Sequence, residues 1–215
     1  EMHLDGMLLR TDGDEVWVDF LGRFNAYNLL TVYAAAMMLG QEKQQVLTAM
    51  STLHPVSGRF EYIRAADGTT AVVDYAHTPD ALENVIETIE EIRRPGQNLI
   101  VLCGCGGDRD RTKRPEMAQI AVKYATTAIF TSDNPRTEDP EAILRDMTDG
   151  LAPEARYLKI ADRAEAIRTA VMLSRPGDII LLAGKGHETY QIIGTEKHHF
   201  DDREQVRKEF AAAKR

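Results

Sequence analysis

Between Thr69 and Leu182 the sequence repeats one pattern: a short apolar, β-branched run, a turn, then a segment with apolar residues at helical spacing. The run Asn98-Leu-Ile-Val-Leu-Cys103 decides how that pattern folds. It is apolar at every position after Asn98, so it reads as a strand buried on both faces. Such a strand needs helices on each side, and strands that alternate with helices pair in parallel through right-handed crossovers. The other strand runs are Thr69–Asp74, Thr126–Thr131, Tyr157–Ile160 and Asp178–Leu182. Helices are predicted over Pro79–Arg93, with Leu82, Val85, Ile86, Ile89 and Ile92 on one side, and over Pro115–Tyr124. Two more are predicted from Pro140, as a proline at a first helical position, and over Arg163–Ser174. Thr189–Gly194 reads as an edge strand and Asp201 onward as a closing helix. The expected fold class is α/β, a mostly parallel sheet flanked by helices.

The opening residues follow a different rule. Leu4–Arg10 and Val16–Phe20 flank Asp12-Gly13, which predicts a hairpin. An alanine-rich helix then runs to Met38 and stops at Gly40, with Asn25 as its expected N-cap. Asn28, three positions on, shares that helix face. A short helix over Gln44–Met50 leads to His54-Pro-Val-Ser-Gly-Arg-Phe60, which has the breakers of a linker. The expected division is therefore 1–56 and 57–215. The first residue is Glu1 rather than methionine, and a lone hairpin is marginal. The chain is expected to be a piece of a longer protein.

Composition sets the outer limits. The 215 residues are 43% hydrophobic and 28% charged, as in ordinary soluble globular proteins. A net charge of −8 argues against nucleic acid as a partner. No apolar run is long enough to cross a bilayer, and no signal peptide opens the chain, so the expected location is the cytoplasm. Cys103 and Cys105 have no partner cysteines for a zinc site and read as reduced packing residues. Thr112-Lys-Arg114 reads as a solvated charge run, and His198-His199 lacks a ligand-spaced partner, so no metal is expected.

Four polar clusters occupy equivalent places, each just after a strand: Asp74–His77, Gly104–Arg109, Ser132–Arg136 and Gly184–Glu188. All would lie along the carboxyl edge of one sheet, where open parallel sheets bind ligands. Loops that only connect need not be so rich in Asp, Arg, His and Gly on a single edge. A guanidinium such as that of Arg136 grips a carboxylate with two parallel hydrogen bonds, and an aspartate such as Asp133 can hold an ammonium. Together they suit an amino-acid zwitterion. Gly104–Gly107 is either a tight turn or a place where backbone meets a ligand. It matches neither dinucleotide nor phosphate-loop spacing, and Lys185 lacks the context to be assigned to phosphate. His77 and His187 are either loop histidines or site residues.

Taken together these stretches resemble the Mur ligase family. The resemblance is carried by Asn25-Ala-Tyr-Asn28, His54-Pro-Val-Ser-Gly-Arg59, Asp74-Tyr-Ala-His-Thr-Pro79, Gly104-Cys-Gly-Gly-Asp-Arg109, Asp133-Asn-Pro-Arg136 and Ala183-Gly-Lys-Gly-His-Glu188. Asp133-Asn-Pro-Arg136 is similar to the signature of the branch that adds meso-diaminopimelate. The resemblance implies that 1–56 is the tail of a central ATP-binding domain and 57–215 a complete Rossmann-like C-terminal domain. It implies an ATP- and magnesium-dependent amide ligase of peptidoglycan precursor synthesis, acting through an acyl phosphate on UDP-MurNAc-L-Ala-D-Glu. Folylpolyglutamate- or cyanophycin-type ligases and a non-catalytic binding module are the alternatives. Arg109, Asp133, Asn134, Pro135, Arg136, Gly184 and Glu188 would hold meso-diaminopimelate. Asn25, Asn28, Arg59, Asp74 and His77 would hold ATP. The phosphate loop, the UDP-binding domain and the magnesium ligands of such enzymes are missing from this sequence, so the chain alone is expected to be an inactive monomer.

Overall fold

The computed structural model describes residues 1–3 and 6–213. Leu4 and Asp5, in the first predicted run, and the last two residues of the closing helix lie outside the described residues. The chain forms two compact units, Glu1–Val56 with Glu87–Arg93, and Ser57–Ile86 with Arg94–Arg215.

In the first unit, β1 (Met2–His3), β2 (Gly6–Thr11) and β3 (Asp14–Val18) form an antiparallel sheet in that order. Asp12 and Gly13 join β2 to β3 at φ 48° and 84°, the left-handed pair that a two-residue hairpin turn demands. Alternate residues Met7, Leu9, Val16 and Val18 face Leu29 and Tyr33 of α1 (Arg23–Met38) and Leu47 and Met50 of α2 (Lys43–Ser51). Asn25 is not the N-cap expected from the sequence. Helix α1 begins three residues earlier, with Gly22 at the cap and φ 92°. The Asn25 amide instead donates back to the Leu21 carbonyl at 2.7 Å.

The second unit is built on six strands: β4 (Glu61–Arg64), β5 (Thr70–Asp74), β6 (Leu99–Cys103), β7 (Thr127–Phe130), β8 (Tyr157–Lys159) and β9 (Ile179–Ala183). Their order is β4-β5-β9-β6-β7-β8, parallel throughout except for β4. This is the mostly parallel α/β sheet that the apolar runs predict. Every residue of β5, β6 and β9 is buried. Each fully buried aliphatic side chain there contributes about 1.5–3 kcal/mol. On one face Val73, Ile100, Leu102, Ile129, Ile180 and Leu182 pack with α6 (Arg163–Leu173) and α7 (Asp202–Ala212) through Ile167, Val171, Val206 and Phe210. Helix α3 (Pro79–Ile92), α4 (Lys113–Tyr124) and α5 (Pro140–Thr148) complete the element list of this region, with 87–92 of α3 counted in the first unit. Asp139, Asp162 and Asp201 cap α5, α6 and α7, each accepting a backbone N–H from the first turn.

Two strand readings change. β4 escaped the sequence reading because Glu-Tyr-Ile-Arg directly follows the glycine-proline linker and pairs only as an antiparallel edge. The predicted edge strand at Thr189–Gly194 is not in the main sheet. It is β10 (Tyr190–Ile193), which turns at Gly194 to pair with β11 (Glu196–His199) in a separate hairpin. Among the described residues no helix is long and apolar enough to cross a membrane.

Candidate functional site

The strand order explains why four distant clusters meet. β5, β9, β6 and β7 are consecutive neighbours, so the loops that leave their carboxyl ends stand side by side. They enclose a cleft of about 410 Å³. Arg109, Asp133, Asn134, Arg136, Gly184 and Glu188 all line it, with His77 beside them. Pro135 does not share their place. It is buried under the rim, and its carbonyl packs so closely on Gly107 that an added Cβ would come within 1.9 Å.

The arginine of the third loop is held by backbone. Arg136 has φ 51°, a left-handed conformation that a non-glycine residue adopts only where its surroundings impose it. The β10–β11 hairpin imposes it: Arg136 N–H donates to Ile192 O at 3.0 Å, and Gly194 N–H donates to Arg136 O at 2.7 Å. The guanidinium Nη1 donates to Gly107 O at 2.8 Å. A Cβ on Gly106 would lie 2.9 Å from Arg136 Nη1 and 3.6 Å from Arg109 Cγ. The two arginines therefore flank one glycine. Arg109 is exposed and donates only weakly, to Asp108 O at 3.3 Å.

Beside the two carboxylates, Asp133 and Glu188, stands a residue that the sequence left unassigned. Lys185 Nζ lies 3.3 Å from Asp133 Oδ1 and 3.5 Å from Glu188 Oε2, and its side chain is fully buried. Asn134 Oδ1 accepts from Lys185 Nζ at 3.2 Å and from Ile192 N–H at 2.9 Å, so its Nδ2 must turn outward, where it donates to Glu188 Oε2 at 2.9 Å. Gln191 Nε2 donates to Asp133 O at 2.8 Å. Behind the cleft Arg163, also fully buried, donates from Nε and Nη2 to the two Asp202 carboxylate oxygens, each at 2.7 Å. Its remaining donors reach Ser132 O at 3.4 Å and Ala183 O at 3.3 Å, so one side chain ties the ends of β7 and β9 together.

The residues expected at a nucleotide fall into two places. Asp74 is buried, and burial raises its pKa against the pull of two backbone donors. Phe60 N–H reaches Oδ2 at 2.7 Å and Ala76 N–H reaches Oδ1 at 2.8 Å. Both oxygens are thus occupied, and Asp74 holds the Arg59 turn rather than presenting a free carboxylate. Arg59 lies over the Tyr75 ring, 4.8 Å from its centroid, a cation–π contact. The His77 ring meets that of Tyr75 at a tilt, with 4.6 Å between centroids, and Lys113 Nζ donates to His77 O at 2.6 Å. Asn25 and Asn28 belong to the other compact unit, on the first and second turns of α1, with 3.5 Å between their amides.

Arg114 overturns the reading of Thr112–Arg114 as a solvated run. It is fully buried, forks onto both oxygens of Glu138 at 3.0 and 2.8 Å and reaches Asp146 at 2.7 Å. Asp108 N–H also donates to Glu138 Oε1 at 2.6 Å, which anchors the loop that bears Arg109. The Arg114 guanidinium and this amide hold the Glu138 carboxyl at about 2, below its ordinary 4.5. A carboxyl depressed in the folded state stabilises fully above pH 4.5, and that stability fades as pH falls toward about 2. Glu138→Gln is therefore expected to flatten the acid limb of a plot of Tm against pH in that window. An acid limb as steep as that of the unaltered chain would count against this pairing. Cys103 and Cys105 are both buried, and burial pushes the Cys105 thiol up to about 12. They are packing residues. No group of three or more His, Cys, Asp or Glu among the described residues is placed to hold a metal.

The family described as "Mur ligase, glutamate ligase domain" matches residues 58–186, more than half of the chain. The chain belongs to the Mur ligase family. Its relatives include UDP-N-acetylmuramoyl-L-alanyl-D-glutamate–2,6-diaminopimelate ligases. That of Phocaeicola vulgatus is 56% identical over 209 residues, covering 96% of this chain and 43% of the relative. That of Bacillus cereus is 53% identical over 189 residues, covering 88% and 38%. A solved ligase of the same description is 43% identical, with a TM-score of 0.72 over 94% of this chain and 41% of its own. The folylpolyglutamate synthase of Thermotoga maritima, at 16% identity and TM-score 0.63, shares the fold. The chain spans less than half the length of the relatives it matches.

Proposed function

We propose that this Mur ligase chain is the part of an ATP-dependent ligase that receives meso-diaminopimelate, and that the whole enzyme joins it to UDP-MurNAc-L-Ala-D-Glu in peptidoglycan precursor synthesis. One observation carries the reading. A single cleft is lined by two arginines, Arg109 and Arg136, and by two carboxylates, Asp133 and Glu188. Meso-diaminopimelate carries two carboxylates and two ammonium groups, and that set of charges answers the lining.

The chemistry asks placement of this chain. The γ-phosphate of ATP passes to the substrate carboxylate, the free amine of the incoming amino acid attacks the acyl carbon, and the tetrahedral intermediate expels phosphate. Arginines on the carboxylates fix the direction of the amine, and holding a nucleophile in attacking geometry lowers a barrier by several kcal/mol. Arg59 and His77 are assigned to phosphate or ribose, and Asn25 and Asn28 to the adenine edge, where an amide can both donate and accept. Asp74 supports Arg59 through the Phe60 amide. No magnesium ligand is assigned to these residues. The relatives' greater length and the exposed apolar side chains of α1, Tyr27 and Val32 among them, support reading 1–56 as the tail of a larger ATP-binding domain.

A coupled ADP-release assay with the full-length ligase, UDP-MurNAc-L-Ala-D-Glu and a panel of amino acids tests the proposal. Meso-diaminopimelate is expected to be turned over well above lysine or glutamate, and the 215-residue chain alone to release no ADP above background. Equal use of lysine, or a preference for glutamate as in a folate-type ligase, would sink it.

A further inference from the structure

Lys185 is among the largest fully buried side chains of the molecule, yet both carboxylates beside it line the amino-acid cleft. Its Nζ faces Asp133 Oδ1 and Glu188 Oε2 at 3.3 and 3.5 Å, and donates to Asn134 Oδ1 and Tyr190 O at 3.2 and 2.7 Å. A buried charge is tolerated only when it is paired and hydrogen-bonded, and here the partners are the same groups that would hold the ligand. The backbone is shaped to put it there. Gly186 has φ 50°, and a Cβ on it would meet Gly58 O and Tyr75 Cβ at 2.6 Å. Only glycine makes the turn that drives Lys185 inward.

We propose that Lys185 is a positioning residue that sets amino-acid specificity: its charge cancels one of the two negative charges of Asp133 and Glu188, so the cleft prefers a net-neutral diamino-dicarboxylate to a cationic diamino-monocarboxylate. The inference rests on the amino-acid reading above. In a diamino-dicarboxylate each ammonium has a carboxylate on the same carbon. Whichever end enters the acidic side therefore brings a negative charge with it. With Lys185 in place one carboxylate is neutralised and that charge is accepted. Without Lys185 two unopposed carboxylates repel it, while lysine, which lacks one carboxylate, is attracted. Lys185 also fixes shape. By occupying Asn134 Oδ1 it turns the amide so that Nδ2 engages Glu188 Oε2.

Steady-state kinetics of the full-length ligase with meso-diaminopimelate and with L-lysine test this. Lys185→Met is expected to lower the ratio of the two kcat/KM values at least about tenfold, or ~1.4 kcal/mol. Asp133→Asn is expected to move the ratio the other way, because Lys185 then opposes a single carboxylate. Lys185→Gln keeps a donor without the charge and repeats the measurement should the methionine variant fold poorly. A ratio that stays constant in the Lys185 variants while both rates fall would make the residue purely structural and overturn the proposal. A ratio that shifts the same way in the Lys185 and Asp133 variants would show general loosening and overturn it as well. If the unaltered enzyme has no preference for meso-diaminopimelate over lysine, the amino-acid reading fails at the control, apart from the charge argument.

Discussion

Replacing Arg136 by alanine in the full-length ligase is expected to raise the KM for meso-diaminopimelate at least about tenfold, because truncating one partner of a desolvated charge pair costs about 2–5 kcal/mol. The KM for ATP is expected to stay close to its original value. The size follows from how the side chain is mounted. Its Nη1 is tied to Gly107 O at 2.8 Å, and its backbone is locked by two hydrogen bonds to the β10–β11 hairpin. The guanidinium is thus pre-organised, and little ordering entropy is spent when a carboxylate arrives. Half-burial places the loss toward the lower end of that range. Arg109, exposed and weakly tethered, is expected to matter less when truncated. Lysine should be used by the variant about as well as by the unaltered enzyme, since it lacks the second carboxylate that Arg136 would meet. A meso-diaminopimelate KM within about twofold of the original would remove Arg136 from the site, well inside what a 2 kcal/mol loss allows.

Much of this site was legible before any coordinates, and the reason is topological. A run such as Leu99–Cys103, apolar on both faces, admits only a covered parallel strand, and such strands send their carboxyl ends to one edge. Polar residues placed just after successive strands must then share that edge, whatever the strand order. That order itself was not legible: β9 inserts between β5 and β6, and nothing local records it. The insertion is what sets Gly184–Glu188 beside both Asp74–His77 and Gly104–Arg109.

Buried cations were the main failure. Arg114 read as solvated, and Arg163 and Lys185 were given no buried role, because isolated Arg and Lys are almost never fully buried. Each is inside because acidic partners come from elsewhere in the chain: Glu138 and Asp146 for Arg114, Asp202 for Arg163, and Asp133, joining the nearby Glu188, for Lys185. Such pairing depends on tertiary neighbours and leaves no period in the sequence. The one local trace was the pair of glycines around Lys185, which signals a backbone forced into an unusual turn. The misplaced N-cap at Asn25 has a similar origin. Gly22 at φ 92° starts α1 early, and the amide that looked free to cap is used on Leu21.

Asp202→Ala is expected to destabilise the chain by about 3–5 kcal/mol, the cost of leaving a buried arginine without its counter-charge. Both side chains of the Arg163–Asp202 pair have no exposed surface, and the pair closes through two bonds of 2.7 Å. A domain is typically stable by only about 5–15 kcal/mol, so the loss is a large fraction of the total. Urea unfolding at unchanged m-value measures it. The double variant Arg163→Met/Asp202→Leu removes the orphaned charge together with its partner and is expected to recover most of the stability, since apolar replacement of a whole buried pair is often neutral or stabilising. Recovery of stability need not restore the site. Arg163 also bonds Ser132 O and Ala183 O, the residues just before Asp133 and Gly184. The double variant should therefore fold well while holding the ends of β7 and β9 less firmly, with a higher amino-acid KM in the full-length ligase. If Asp202→Ala costs under about 1 kcal/mol, the value of an exposed pair, Arg163 reaches water on its own and cannot be the brace between those two strands.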